Sequence, residues 1–241
     1  MESSQKGLLT LGLTLAIGMV ASAAIASLTF AKVKMLDNTL SVTGSARQHV
    51  TSDMVKWSSS FSRVAPLDGI EGGYSQMKKD EDAVKMFLRL KGVKDEEMTI
   101  SPVLMSENYR QYDTAPRAFT LRQTVEVRSD EVQKITAIAK DLQTIINQGI
   151  LFSSDNLEYT YSKLAELRVS MLSDAVKDAQ ARAMKIAEST GTRVGAVHSA
   201  SMGVVQVLSA GSTEVLDYGS YDTQSIDKEV MVTVKTAFGL K

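Results

Sequence analysis

The longest uncharged stretch of the chain runs from Gly7 to Ala31 and is closed by Lys32. A helix rises about 1.5 Å per residue, so a helix of this length is able to cross the hydrocarbon core of a bilayer, which is about 30 Å thick. The pattern predicts a transmembrane signal anchor over residues 7–31. A short N-terminal tail precedes it at residues 1–6, and a linker follows it at residues 32–38.

A long, cleaved signal peptide is the alternative interpretation of the same stretch. Its apolar core would be residues 7–20, and its cleavage site would be Ala21-Ser22-Ala23 or Ala24-Ile25-Ala26. Signal peptidase substrates usually become polar after such a site. Apolarity here continues as far as Phe30, which favours the uncleaved anchor.

The charges beside the predicted span do not orient it, because Lys6 lies on one side and Lys32 and Lys34 on the other. Small residues recur every four positions within the span, a spacing that lets two helix backbones approach closely. Small residues are also common in spans that have no helical partner. The candidate packing ladder consists of Gly18, Ser22 and Ala26.

After the linker, segments of alternating apolar and polar residues are interspersed with segments of helical period. Adjacent predicted strands with interspersed helices indicate an α+β domain over residues 39–241, with a mixed or antiparallel sheet and about three helices. The predicted strands are residues 39–46, 50–63, 97–109, 117–128, 150–161, 194–208 and 229–238, and the predicted helices are residues 68–90, 130–148 and 163–190.

The longest of these helices carries alanine at every fourth position, namely Ala175, Ala179, Ala183 and Ala187. Side chains four residues apart lie on one helix face, so this row is flat and predicts close packing on a sheet. Two basic residues of this helix, Arg168 and Arg182, project into the same broad arc as the alanine row. They are candidate contacts to a neighbouring subunit, although an ion pair between Arg182 and Asp178 is the simpler interpretation.

Composition excludes several classes of function. The chain has 27 basic and 28 acidic residues, so its charge favours no binding of nucleic acid. Cysteine is absent, which excludes disulfides, thiolate metal sites and cysteine nucleophiles.

The sequence carries no recognisable catalytic motif. The two histidines, His49 and His198, lack an obvious metal partner, and no G-x-S-x-G pattern places a serine nucleophile. His49 and Asp53 are expected on one face of one strand, and both histidines are interpreted as surface or turn residues. We therefore expect no enzyme activity, no cofactor and no metal site.

One short pattern, Y-x-x-Y-D, occurs twice, each time in a polar connection between predicted strands. Tyrosine is enriched at interfaces because it combines apolar area with a hydroxyl group. The pattern is either coincidental or marks two loops that contact another subunit or a partner. Its residues are Tyr109, Tyr112, Asp113, Tyr218, Tyr221 and Asp222.

The chain resembles the SIMPL-domain family of bacterial envelope proteins over about residues 39–239. The resemblance rests on several short segments in the family's order. These are Val42-Thr43-Gly44-Ser45-Ala46, the alanine-rich helix that leads into Ile186-Ala187-Glu188-Ser189-Thr190-Gly191, Val194-Gly195-Ala196-Val197, Ser225-Ile226-Asp227-Lys228-Glu229-Val230 and Ala237-Phe238.

This resemblance implies an extracytoplasmic α+β domain, a ring or tube in some relatives, a stress-related role and no catalytic residue set. We therefore expect a self-assembling scaffold protein that forms a homo-oligomer. It would be a single-pass protein of the bacterial inner membrane with its soluble domain in the periplasm. The alternative function is an envelope module that binds a small molecule or a client protein through the tyrosine-rich loops.

Overall fold

The computed structural model describes residues 2–36, 38–109, 116–212 and 218–241, and within the first range it describes side chains for residues 11–30. The helices are α1 (Glu2–Leu36), α2 (Ile70–Leu90), α3 (Val132–Lys140), α4 (Gln143–Ile146) and α5 (Leu164–Ser189). The strands are β1 (Thr39–Thr51), β2 (Met54–Pro66), β3 (Met98–Ile100), β4 (Leu104–Glu107), β5 (Ala118–Ser129), β6 (Leu151–Thr160), β7 (Val194–Met202), β8 (Gln206–Ser209) and β9 (Asp227–Leu240).

The strands form two sheets. One has the order β1-β9-β7, with β8 also paired to β9, and the other has the order β3-β5-β2-β6, with β4 also paired to β5. Strand β2 is antiparallel to β5 and β6, and β9 is antiparallel to β7 and β8. The predicted α+β class with an antiparallel sheet is confirmed.

The chain divides into two compact units. The anchor unit, named after the candidate membrane span in α1, consists of Met1–Ala46, Ser170–Val204 and Val232–Lys241. The larger unit consists of Arg47–Val169 and Val205–Met231.

The core of the larger unit lies between strands β2 and β5 and the helices α2 and α3. The predicted period-two face of β2 is buried, since Val55, Trp57 and Phe61 are each at most 1% exposed. The indole N–H of Trp57 donates a hydrogen bond to Ser154 Oγ at 2.9 Å, so the buried polar edge of the ring has a partner. A shift of β2 by one residue against its neighbours would turn this apolar face toward solvent, which is why the observed strand register is stable.

The anchor unit is built on the alanine row of α5. Ala175, Ala179 and Ala183 are fully buried, and two of these alanines pack with Val42 of β1 and Phe238 of β9. A Cβ atom at Gly44 would clash with the carbonyl oxygen of Ala175 and the amide nitrogen of Ala179, because the helix backbone lies directly against β1 there. The predicted close packing of this helix face on a sheet is confirmed.

Helix α1 contains an apolar stretch of 20 residues, Leu11–Phe30, which is long enough to span a membrane and has no buried residue. The same features suit a signal sequence near the N-terminus. Gly18, Ser22 and Ala26 are exposed, and the Ser22 hydroxyl donates to the carbonyl oxygen of Met19 in its own helix. Their role as a packing ladder stays a prediction.

Two predicted strand boundaries at the start of the domain are wrong. The predicted turn near Arg47 is part of β1, which continues to Thr51 because β9 holds it: Arg47 Nη1 lies 3.0 Å from Glu229 Oε1, and the Thr51 hydroxyl donates to Asp227. Asp53 therefore follows the strand and does not share it with His49. Its carboxylate accepts hydrogen bonds from the backbone N–H and the hydroxyl of Ser162.

Three predicted elements are each divided in two. Pro102, which lacks an N–H, lies between β3 and β4. The predicted helix over residues 130–148 becomes α3 and α4, and the hydroxyl of Ser129 accepts the N–H of Glu131 just before α3 begins. Residues 203–205 separate β7 from β8.

Candidate functional site

Strand β7 forms one outer edge of its sheet, because its only strand neighbour among the described residues is β9. Its sequence, VGAVHSASM, contains no lysine, arginine, aspartate or glutamate. Residues 196–204 are all exposed, and Val197 and Met202 keep 52% and 54% of their surface open to solvent. An uncharged, exposed edge of this length is a template for pairing with another strand.

The register with β9 shows which backbone groups of β7 are available. The Gly203 N–H donates to the Thr233 carbonyl at 2.8 Å, and the pairs Ser201–Lys235 and Ser199–Ala237 follow in the same register. Hydrogen-bonded pairs alternate with non-bonded pairs in an antiparallel ladder. The N–H and C=O groups of Ala200 and Met202 therefore point away from β9, toward the open edge.

Side-chain directions on β7 follow from the same register. Ala200 and Met202 are opposite Thr236 and Val234, which are buried on the same face of β9 as Phe238. These two β7 residues therefore lie on the face of the sheet that carries α5, and Ser199 and Ser201 lie on the other face. The strand begins with irregular pairing between Val194 and Ser199, so its regular part is residues 199–202.

Apart from β1, the other described strand edges are covered, short or charged. Segment 220–222 covers β8, since the Val207 N–H donates to Ser220 and the Asp222 N–H donates to Val207. Strand β6 carries Asp155 and Glu158, and β3 and β4 have three and four residues. Charge and short length are ways in which proteins prevent edge pairing. Strand β7 has neither protection.

Strand β1 forms the opposite outer edge of the same sheet, and α5 closes this edge at residue 45. The Ser45 N–H donates to Asp178 Oδ2 at 2.8 Å, and Arg182 Nε lies 2.9 Å from the same carboxylate oxygen. Together these donors lower the pKa of Asp178, with the Ser45 N–H as the larger cause. The open part of the β1 edge is therefore residues 39–44.

Helix α5 is flanked by a groove on each side within the anchor unit. The groove beside β1 has a volume of about 590 Å³ and is largely apolar, with Arg182 and Lys185 contributing the charged groups. Its other lining residues are Val42, Thr43, Ala181 and Ile186. The groove on the other side is lined by Met184, Ala187 and Val194, among others. The sheet thus extends beyond the helix that covers it.

The second Y-x-x-Y-D sequence lies in a loop that the chain itself holds in place. The Tyr221 hydroxyl accepts the Tyr161 N–H at 3.0 Å, and the Asp222 carboxylate accepts the Gln224 N–H. Lys228 is fully buried, and its Nζ donates to the backbone carbonyl oxygens of Asp222 and Ser225. Burial lowers the pKa of Lys228, and the Asp222 carboxylate opposes this effect.

Two other tyrosines of the repeats are more accessible. Tyr109 is 94% exposed and Tyr218 is 72% exposed, whereas Tyr112 and Asp113 lie outside the described residues. Gln224, in the same loop as Tyr221, lines a polar cavity with Asp155 and Asn156. The role of these tyrosine-rich loops in assembly or partner binding stays a prediction.

The two arginines predicted as subunit contacts belong to different units. Arg182 makes the predicted ion pair with Asp178 and also lines the groove beside β1. Arg168 is exposed in the larger unit. Of the two arginines, Arg182 is therefore the one that lies beside the β1 edge of the sheet.

The histidines lie at exposed positions. His49 Nε2 is 3.9 Å from a carboxylate oxygen of Asp227, and both side chains are more than half exposed. His198 lies in the irregular part of β7, with its ring close to Gly239. No group of three or more histidine, aspartate, glutamate or cysteine residues suited to a metal ion occurs in the described ranges.

A charged groove between α2 and β3 is a further surface feature of the larger unit. Lys85 Nζ lies 2.6 Å from Glu81, and Arg89 Nε lies 2.7 Å from Asp95. The hydrogen bond from Lys85, with smaller contributions from Gln123 and Lys78, lowers the pKa of Glu81 to about 2. Because the charges pair with each other, the groove presents no uncompensated charge to a ligand.

The open edge of β7 was missed by the sequence analysis, which predicted one strand over residues 194–208. A signal was present, since β8 contains the apolar residues Val207 and Leu208 whereas β7 is rich in serine and alanine. This contrast distinguishes a buried strand from an exposed one. It does not indicate which strand lies at an edge.

Comparison with known families identifies a matching family model. The model of SIMPL, described as "Protein of unknown function (DUF541)", matches residues 40–238, which is most of the chain. A search among curated proteins finds no match. The resemblance noted in the sequence is therefore confirmed over nearly its whole predicted extent.

Proposed function

Since this chain belongs to the SIMPL family, we propose that it is a membrane-anchored scaffold protein that self-assembles outside the cytoplasm and has no catalytic role. The observation that carries the proposal is the uncharged, exposed edge of β7 in the unit that contains α1. A ring or tube as the form of the assembly and a stress-related process as its setting come from the resemblance to SIMPL relatives.

The anchor supports self-assembly by confining the copies. Helix α1 ends at Leu36, and β1 begins at Thr39, so the open sheet is attached to the membrane segment through a very short connection. Copies held in one bilayer have a higher effective concentration for one another than copies in solution. Even a weak edge contact would then be sufficient to assemble the protein.

The first prediction concerns assembly and retention of the anchor. We expect full-length protein in mild detergent to have a particle mass several times that of the 26.2 kDa chain. We also expect the intact mass of the same sample to include residues 1–26. Light scattering with a detergent correction and mass spectrometry measure these two quantities.

A dilution series of the same sample serves as its control, because a specific assembly dissociates in defined steps. A single chain per particle at high protein concentration would contradict the scaffold proposal. An intact mass that begins after Ala23 or Ala26 would instead contradict the anchor and favour a cleaved signal peptide.

The second prediction concerns the side of the membrane. The chain has no cysteine, so one introduced thiol reports on one position. We expect Leu90→Cys, at a site that is 79% exposed, to react with a membrane-impermeant maleimide in intact spheroplasts. Ser4→Cys, in the N-terminal tail, is the matched control and should react only after lysis. The opposite labelling pattern would place the domain in the cytoplasm.

A further inference from the structure

The two open edges of the anchor unit begin at the same end of the sheet. The Leu240 N–H donates to the Asn38 carbonyl at 3.0 Å, so β1 begins beside the end of β9. Strand β7 also begins there, because Val194 pairs with Leu240. Helix α1 ends two residues before Asn38. Both open strands therefore start at the anchored end and run away from it.

From this arrangement we infer that β7 of one copy pairs in parallel with the open edge of β1 of the next copy, which joins anchored chains head to tail. The inference rests on the proposed self-assembly and names the partner of the β7 edge as a second copy of this chain. Residues 199–202 of β7 and residues 39–44 of β1 would form the contact.

The membrane anchor favours this pairing over a symmetric one. An antiparallel pair of two β7 strands, centred on Ala200, would place the two Val194 ends about 40 Å apart along the strands, at about 3.3 Å per residue. The two anchored ends would then lie at opposite ends of the joined sheet. Parallel pairing of β7 with β1 keeps them side by side, in one bilayer.

Side-chain chemistry also fits the inferred contact. On the face that carries α5, β7 presents Ala200 and Met202, and the facing edge of β1 adjoins the groove lined by Val42, Ala181 and Ile186. A methionine side chain adapts to irregular apolar surfaces of this kind. Neither β7 nor residues 39–44 of β1 carry a charged residue, and the groove residues Arg182 and Lys185 pair with Asp178 and Glu188. The contact would therefore not bury an unpaired charge.

Such a contact is heterologous, because two different surfaces of the chain meet. A heterologous contact leaves one open edge at each end of a linear oligomer, so further copies can add. Repetition produces a ring when the rotation between neighbouring copies closes on itself. The same pair of edges therefore accounts for growth beyond a dimer.

Cysteine crosslinking on full-length protein in detergent tests the pairing. Ser199 and Ser201 of β7 are exposed on the face away from α5. In β1, Ser41 and Thr43 are exposed on either side of the buried Val42. The register of β7 against β1 between copies is not fixed by the single chain, so the experiment samples it with four double variants. Each variant combines one cysteine in β7 with one cysteine in β1. We expect at least one of them to form a ladder of covalent dimers, trimers and larger species with a short bis-maleimide, whereas each single variant stays monomeric on a denaturing gel.

A proline variant gives an independent readout. Ala200→Pro removes an N–H that points away from β9, so the β7–β9 ladder keeps its hydrogen bonds while the outer edge loses a donor. We expect self-association to weaken roughly tenfold or more. Ala200→Thr is the matched comparison, because it changes the side chain but retains the N–H, so Ala200→Pro should weaken self-association more than Ala200→Thr does. An Ala200→Pro particle of unchanged mass and stability would overturn the inference.

The outcomes separate this inference from the proposed function. A covalent dimer from Ser201→Cys alone would mean that β7 pairs with itself, which overturns the pairing with β1. Oligomeric particles without any crosslink between the two strands would overturn the pairing and leave self-assembly standing. Single-chain particles of unmodified protein would overturn both.

Discussion

Replacement of Gly44 by alanine is expected to lower the free energy of unfolding by about 3 kcal/mol. The added Cβ would clash with two backbone atoms of α5, the carbonyl oxygen of Ala175 and the amide nitrogen of Ala179. Backbone atoms of a packed helix cannot rotate away as the end of a side chain can. Helix α5 would have to move away from β1, which would open the contacts of the buried alanine row. Urea unfolding of full-length protein in detergent measures the change.

The matched control is Gly72→Ala in α2. A Cβ at this position has no atom within 4 Å, and alanine is favoured over glycine inside a helix by about 1 kcal/mol. This variant is therefore expected to be as stable as the unmodified protein or more stable. Hydrogen exchange at Ser170–Ser189 gives a local readout, since only the change at Gly44 should increase exchange there. Equal stability of the two variants would refute the close approach of α5 to β1.

The second large effect is expected for Lys228→Ala, which should cost about 3 kcal/mol of stability. The lysine is fully buried, and its Nζ supplies hydrogen bonds to the carbonyl oxygens of Asp222 and Ser225. Truncation would leave both carbonyls without this donor and would create a cavity under the loop that contains Tyr221. Thermal unfolding and hydrogen exchange over residues 218–226 measure the loss.

Two further variants separate the causes of that loss. Lys228→Met fills most of the same volume without donating hydrogen bonds, so its stability should lie between those of unmodified protein and Lys228→Ala. Lys235→Ala removes an exposed lysine from the same strand and should change stability by less than about 0.5 kcal/mol. If Lys228→Ala were as stable as Lys235→Ala, the buried amine would not be what holds the loop.

Much of the fold was predictable from local patterns. The predicted end of the alanine-rich helix lies within one residue of the observed one, since α5 ends at Ser189 and Gly191 follows with φ of 71°. The predicted range of the alternating strand β5 also lies within one residue of the observed range. Alternation and helical period are set by the local geometry of the backbone, which is why sequence reveals them.

The boundaries that failed depend on distant partners. Strand β1 continues past Arg47 because Glu229 and Asp227 lie opposite it on β9. Lys228 follows a polar segment of the sequence, yet the turn formed by residues 222–225 encloses its amine. No local pattern in the sequence contains this information, since the partners meet only when the chain folds.

At the proposed site, too, some features depend on the sequence alone and others on the tertiary structure. The sequence by itself determined the membrane-length apolar helix, the α+β class and the alanine row that packs on a sheet. It also determined that residues 194–202 carry no charged side chain.

Tertiary structure alone decided that this strand lies at an open edge and that β1 forms the opposite edge. It also decided that both strands start at the end of the sheet that follows the C-terminus of α1. Strand order arises from pairing between distant segments, whereas apolar length and period are properties of each segment.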